Sequence, residues 1–382
     1  MKTLAFLLLA ALVAGCATTP VPRPDGLFND QLFRAASERI SAADVFAVND
    51  DMRRYLRTEL TGALRIKGRQ QGLFDALYGK GELKLDYDSA RTRNAAETFA
   101  ARAGNCLSLA LMTSAFAKEL GLYVRYQSVI VEDTWSRSGD FYLSVGHVNL
   151  TLGRTRFDGR FGKTETDLMT VDFLPPEDLR RQRTRVIAEE TIVAMYMNNR
   201  AVEALTAGDL DNAYAWARAA IGQDPKFLSA YNSLGIIYQR HRDRDEAERV
   251  LRYVVDIEPA NIDAMTNLVT VLEDQGRVAE AAALAARLAR IEPDPPFKFY
   301  HLGLAALRQR DYEAARDFFA REIDRAAYYH EFHFWLAVAY LGLGETRQAR
   351  KHMTLALENS TTTSDQNLYA AKLDRIRTYP VQ

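Results

Sequence analysis

Tyr231-Asn232-Ser233-Leu234-Gly235-Ile236-Ile237-Tyr238, followed by Ala247 and Pro259, is the stretch that organises this chain, because its residues recur at a fixed interval. Pro225, Pro259 and Pro293 stand 34 residues apart. Ala213, Ala247, Ala281, Ala315 and Ala349 keep the same 34-residue spacing, and so do Leu234, Leu268, Leu302 and Leu336. A period of this length marks stacked supersecondary units, none of which can bury its apolar face alone. Small residues at the Gly235 and Ala247 sites let two helices approach closely. Large residues fill the gap between units, and proline closes the second helix because it has no N–H to continue the ladder.

Tyr231, Leu234, Gly235, Tyr238, Ala247 and Pro259 together resemble one complete tetratricopeptide repeat. About five such repeats fit residues 194–361, the first and last being less regular. Residues 362–382 then read as a C-terminal cap, with Asp365 to Tyr379 helical and Tyr369, Leu373 and Ile376 on one side. The resemblance implies an all-α solenoid whose concave face suits an extended peptide or a partner protein. The other use of such an array is to buttress the domain before it.

That domain spans 27–185. Helical patterns cover Leu27 to Arg39, Ala42 to Leu64, Gln70 to Tyr78 and Asn94 to Arg102. Asn105-Cys106-Leu107-Ser108-Leu109 opens an apolar helix that stops at Leu120-Gly121, with glycine as the C-cap. Cys106 therefore sits at a helix N-terminus, where free N–H groups and the macrodipole favour a thiolate. Strand-like stretches follow at Tyr123 to Val131, at Phe141 to Leu152 (with Val145, His147, Asn149 and Thr151 on one face) and at Met169 to Leu174, which ends at Pro175-Pro176. Helices first and strands after predict an α+β fold with an antiparallel sheet.

Asn94-Ala95-Ala96-Glu97-Thr98-Phe99, then Gly104-Asn105-Cys106-Leu107-Ser108-Leu109-Ala110, then Leu120-Gly121-Leu122 and the Tyr123-Val124-Arg125-Tyr126 strand resemble the core of the transglutaminase-like superfamily. His147, in Gly146-His147-Val148-Asn149, and Asp172, in Val171-Asp172-Phe173, follow in the order that family uses. The resemblance covers about 90 residues and implies a papain-like fold with a catalytic Cys106, His147 as base and Asp172 as the acid that orients it. It extends to bacterial proteins that join such a domain to tetratricopeptide repeats, some of which have lost the catalytic residues. Two other acids also follow His147. Asp158 before Gly159 reads as a hairpin turn and Asp167 as a loop or strand-entry residue. An acyl-transfer site also needs oxyanion donors; the Cys106 backbone N–H and the Gln127 side chain are the candidates.

The N-terminus reads as an export signal. Lys2 precedes an apolar stretch, Leu4 to Ala14, that is too short to span a bilayer. It ends in Leu12-Val13-Ala14-Gly15-Cys16, which resembles a lipobox. Residues 1–15 are then a cleaved signal, Cys16 carries the acyl chains, and the proline-rich stretch to residue 26 is a tether. Ala17, in place of Asp, points to the outer membrane and a periplasm-facing protein.

Composition narrows the classes. Lys and Arg number 49 against 50 Asp and Glu, so no nucleic-acid footprint is present. There are two cysteines; with Cys16 acylated, Cys106 is the sole free thiol of a protein bound for an oxidising compartment. His301, His330, His333 and His352 lack the companions a metal site needs and read as solvated or groove-lining. No Gly-rich phosphate loop occurs, so neither cofactor nor metal is expected. Two functions remain. One is a thiol hydrolase or acyltransferase acting on peptide or glutamine-amide bonds, a protease or amidase ahead of a cross-linking enzyme. The other is a non-enzymatic lipid-anchored scaffold whose front domain is a degenerate binding module.

Overall fold

The computed structural model describes residues 26–78, 85–88, 91–130, 135–138, 141–144, 147–158, 162–173, 183–294, 297–360 and 362–378. The signal, lipobox and tether readings fall outside them, as do Gly146, Gly159 and Pro175-Pro176.

The helix expected over Leu27 to Arg39 does not form. Only a 3-10 turn at Asp30–Leu32 interrupts an extended segment. The segment is held by the repeat array instead. Its Phe33 ring stacks on Tyr214 at 4.1 Å. The backbone N–H groups of Ser37 and Glu38 both reach Asn212 Oδ1, at 3.0 and 3.2 Å. A helix would have kept those donors internal, so tertiary contacts override the local apolar period.

The single helix expected over Ala42 to Leu64 is three: α1 (Ala42–Val45), α2 (Asp50–Thr58) and α3 (Leu60–Lys67). Asn49 starts α2 by accepting from Met52 N–H at 2.9 Å, an N-cap that favours a fresh helix over continuation. Helix α4 (Arg69–Tyr78) follows Gly68, whose φ of 81° suits glycine.

Next come β1 (Asp86–Tyr87), α5 (Ala95–Ala101), β2 (Ala103–Gly104) and α6 (Cys106–Glu119). Asn94 and Glu97 form a reciprocal capping box at the start of α5. In α6 every residue from Cys106 through Ala117 is buried, as befits a helix apolar on all sides. Leu122 N–H to Ala117 C=O and Gly121 N–H to Lys118 C=O close it as a Schellman motif around Gly121 at φ 68°.

The main sheet is four antiparallel strands in the order β7 (Gly162–Val171), β6 (His147–Asp158), β3 (Tyr123–Ile130) and β8 (Arg183–Ile187). The run expected as one strand over Phe141 to Leu152 divides. Phe141–Ser144 (β5) pairs with Trp135–Ser138 (β4) as a separate hairpin, and the main-sheet strand begins at His147. Strand β7 is longer than the Met169 to Leu174 stretch, and β8 carries no alternation that announced it. Both faces of β6 are buried: Val148, Leu150 and Leu152 on one, His147, Asn149 and Thr151 on the other. Tyr126, paired with Leu150 and in hydrogen-bond contact with Ser114 at 2.5 Å, ties the first face to α6.

The C-terminal part is an all-helical solenoid of five helix pairs. They are α7 (Glu189–Thr206) with α8 (Leu210–Gln223), α9 (Leu228–His241) with α10 (Arg244–Ile257), and α11 (Ile262–Asp274) with α12 (Val278–Ile291). Then come α13 (Lys298–Arg308) with α14 (Tyr312–Arg325), and α15 (His330–Gly342) with α16 (Thr346–Glu358). The first helix starts at Glu189, ahead of the expected 194. Ala213, Ala247, Ala281, Ala315 and Ala349 are all buried. A Cβ on Gly235 would lie 2.7 Å from Leu251, and one on Gly303 2.7 Å from Phe319, so both contacts need glycine. Leu302 departs from the pattern, being 40% exposed. The buried stripe of α13 runs Phe299, Tyr300, Gly303, Ala306 and leaves Leu302 off its edge. Helix α17 (Thr363–Thr378) caps the array with Tyr369, Leu373 and Ile376 buried. Among the described residues no helix is long and apolar enough to cross a membrane.

Candidate active site

The site is assembled around the N-terminus of α6. Asn105 caps that helix by accepting from Ser108 N–H at 2.9 Å, and its amide donates to Thr92 Oγ1 at 2.9 Å. Ser108 Oγ accepts from Arg93 N–H at 2.8 Å. Gly104 is required here, since a Cβ would stand 2.7 Å from that of Ser108. Cys106 is thus the first residue of a helix whose entry is fixed from three sides, and it is 8% exposed.

The first residue of β6 brings an imidazole. His147 Nε2 lies 2.7 Å from Asp172 Oδ1. That leaves Nδ1 open toward the Cys106 thiol, which lies close enough to act on the imidazole. Asp172 stands just past the end of β7, and its second oxygen accepts from Asn149 Nδ2 at 2.7 Å. Asn149 was legible as part of the polar face of its strand, but its role as second holder of the carboxylate was not. Burial by itself would depress the imidazole; the hydrogen bonds from Asp172 and Cys106, and their charges, override it and raise His147 to about 9. The environment therefore favours an imidazolium between two acidic groups.

The rival acids lie elsewhere. Asp158 closes the β6–β7 pairing opposite Gly162. Asp167 sits at a positive φ of 55°, with an oxygen 4.0 Å from Arg154. Gln127 on β3 pairs with Asn149 and so shares the polar face of the sheet. A residue that no sequence signal marked is closer to the thiol. The Tyr87 phenol lies close enough to Cys106 to be perturbed by it. Tyr87 is 43% exposed. Burial and the adjacent Cys106 raise the phenol above its ordinary value, so it stays protonated.

The four histidines weighed as metal ligands take individual partners. His301 meets the Tyr300 ring, His330 contacts Tyr369 Oη at 2.8 Å, and the Nδ1 atoms of His333 and His352 are 3.1 Å apart. Among the described residues no group of three or more metal-ligating side chains forms.

Family models described as tetratricopeptide repeat match residues 239–298 and 300–362. Comparison with curated proteins finds no match. Solved structures similar to the chain include a thermophilic TPR protein of Thermus thermophilus, at 17% identity and a TM-score of 0.32, covering 47% of this chain and 98% of that one. PilF of Pseudomonas aeruginosa is 18% identical with a TM-score of 0.31, covering 48% and 84%. YrrB, described as a TPR protein with an unusual peptide-binding site, is 18% identical with a TM-score of 0.25, covering 47% and 92%. The repeats of this chain rest on the two family matches and on the helix pairs themselves.

Proposed function

We propose that the chain is a thiol hydrolase or acyltransferase of the transglutaminase-like class. It is anchored by an acylated Cys16 to the periplasmic side of the outer membrane and acts on peptide or glutamine-amide bonds. The observation that carries this reading is the Cys106–His147–Asp172 chain of contacts at a helix N-terminus. His147 accepts the Cys106 proton and the thiolate attacks the amide carbonyl carbon. Collapse of the tetrahedral intermediate breaks the C–N bond, and His147 protonates the departing amine. Asp172, itself held by Asn149, keeps the ring oriented and stabilises its charged form. Water then hydrolyses the thioester, or an amine takes the acyl group. Hydrolysis is the outcome we favour, following the resemblance to bacterial members of the class.

Tetratricopeptide repeats commonly bind protein or peptide partners, and the array supplies that half of the function. A pure scaffold is the second reading, because the family matches lie entirely within the array. Labelling membrane fractions with an acyl-donating, thiol-directed probe separates the two. Labelling of the wild type and none of Cys106→Ala supports the enzyme; equal labelling of both leaves the scaffold.

A further inference from the structure

The proposed acyl transfer requires donors aimed at the oxygen that becomes negative in the tetrahedral intermediate. The Cys106 backbone N–H is one such donor, and the strand pairing sets Tyr87 beside it. The placement is built into the backbone. Strand β1 runs parallel to β2, with Tyr87 opposite Gly104, two residues before the thiol. Asp86 N–H to Arg102 C=O at 2.9 Å and Asp88 N–H to Gly104 C=O at 3.1 Å hold the strand on either side of Tyr87. The Arg93–Asp88 ion pair at 2.9 Å and the Arg93 hydrogen bond to Ala103 C=O at 3.4 Å staple the same corner. So β1 is anchored while the half-exposed phenol can turn about its side-chain bonds.

The geometry points to Tyr87 as a catalytic residue: anchored beside the start of the cysteine helix, its phenol donates its O–H to the oxyanion that forms at the Cys106 N–H. This assignment rests on the thiol-enzyme reading. When Sγ attacks an ester carbonyl, the C–S bond forms and the C=O π pair moves onto oxygen. The phenol and the backbone N–H then hold that oxygen until the leaving group departs. The thiol proton remains on His147.

Two reagents separate this role from a structural one. Iodoacetamide alkylates a thiolate by displacement at a saturated carbon and forms no oxyanion. p-Nitrophenyl acetate acylates through a tetrahedral oxyanion and releases p-nitrophenolate. With the full-length protein in detergent, Tyr87→Phe is expected to slow acylation of Cys106 by about 100-fold while alkylation stays within about threefold of wild type. Mass spectrometry, with Cys106→Ala as blank, confirms that the acyl group is on Cys106. Acylation at the wild-type rate overturns the assignment, and so does a parallel fall in both reactions, which would mark a packing role. A wild type that takes neither reagent at Cys106 overturns the thiol-enzyme reading itself.

Discussion

His147 Nε2 and Asp172 Oδ1 meet at 2.7 Å across 25 positions of sequence, with both side chains only 5% exposed. The contact joins the first residue of one strand to the residue just past the end of its neighbour. Since Asn149 takes the other carboxylate oxygen, Asp172 cannot turn away without leaving a buried charge unpaired. Such a loss is costly in an interior.

This arrangement predicts graded thiol reactivity. Cys106 is expected to react readily with iodoacetamide, because the His147 ring beside it can take the thiol proton. His147→Ala should slow that alkylation by at least about tenfold without unfolding the protein. Asp172→Asn should slow it less, and Asp158→Asn not at all. Equal effects of the two Asp substitutions would remove Asp172 from the site, and a slow wild type would mark Cys106 as buried filler.

The raised His147 also makes stability depend on pH. Its contribution is complete below about pH 6.5, the ordinary histidine value, and fades as the pH rises through about 9. The amount is on the order of 1–3 kcal/mol. Urea denaturation at a series of pH values should show this alkaline loss in the wild type and a flatter curve in His147→Gln. The same slope in both proteins would contradict the coupling.

A second pair has the opposite sign. In the fifth repeat His333 Nε2 donates to Ala327 C=O at 2.8 Å, so its Nδ1 accepts from His352 Nδ1. Burial, with charge from His333 and Lys351, depresses His352 to about 4, and burial also lowers His333. Groups held below their unfolded value give their full stability above about pH 6.5. That stability drains away as the pH falls toward about 4. Hydrogen exchange should show α15 and α16 opening first at pH 5 while α9 and α10 stay protected, as expected when each repeat contacts only its neighbours. Uniform exchange across the array would refute this.

Gly235→Leu is predicted to destabilise the chain by about 1–3 kcal/mol through overpacking, since even a Cβ at that site meets Leu251 at 2.7 Å. The loss should concentrate in the second repeat and its neighbours. Thermal melting and limited proteolysis indistinguishable from wild type would show that the repeat register is wrong.

Anchoring has its own test. With Cys16→Ser the protein is expected in the soluble periplasmic fraction, because the acyl chains would be missing. Membrane fractionation unchanged by that substitution would dispose of the lipid anchor.

What the sequence determined by itself was everything that rides on a local period or cap. The 34-residue recurrence located the helix pairs, because each unit must present the same small and large residues to its neighbour. Asn105 and Gly121 bounded the cysteine helix, because capping chemistry is local. The polar alternation His147, Asn149, Thr151 was readable for the same reason. Tertiary structure decided the rest. Leu27, Phe28, Leu32 and Phe33 carry a helix-like spacing, yet the Asn212 side chain and the Tyr214 ring offered backbone donors and aromatic faces partners that a helix could not use. That Asp172 meets His147 depended on where β7 ends, a matter of strand pairing. Tyr87 was invisible in advance, because a two-residue parallel pairing with Gly104 leaves no periodic trace. Only the folded chain brings that phenol to the thiol, and pairings between distant segments are set by the packing of the whole and not by any local run of residues.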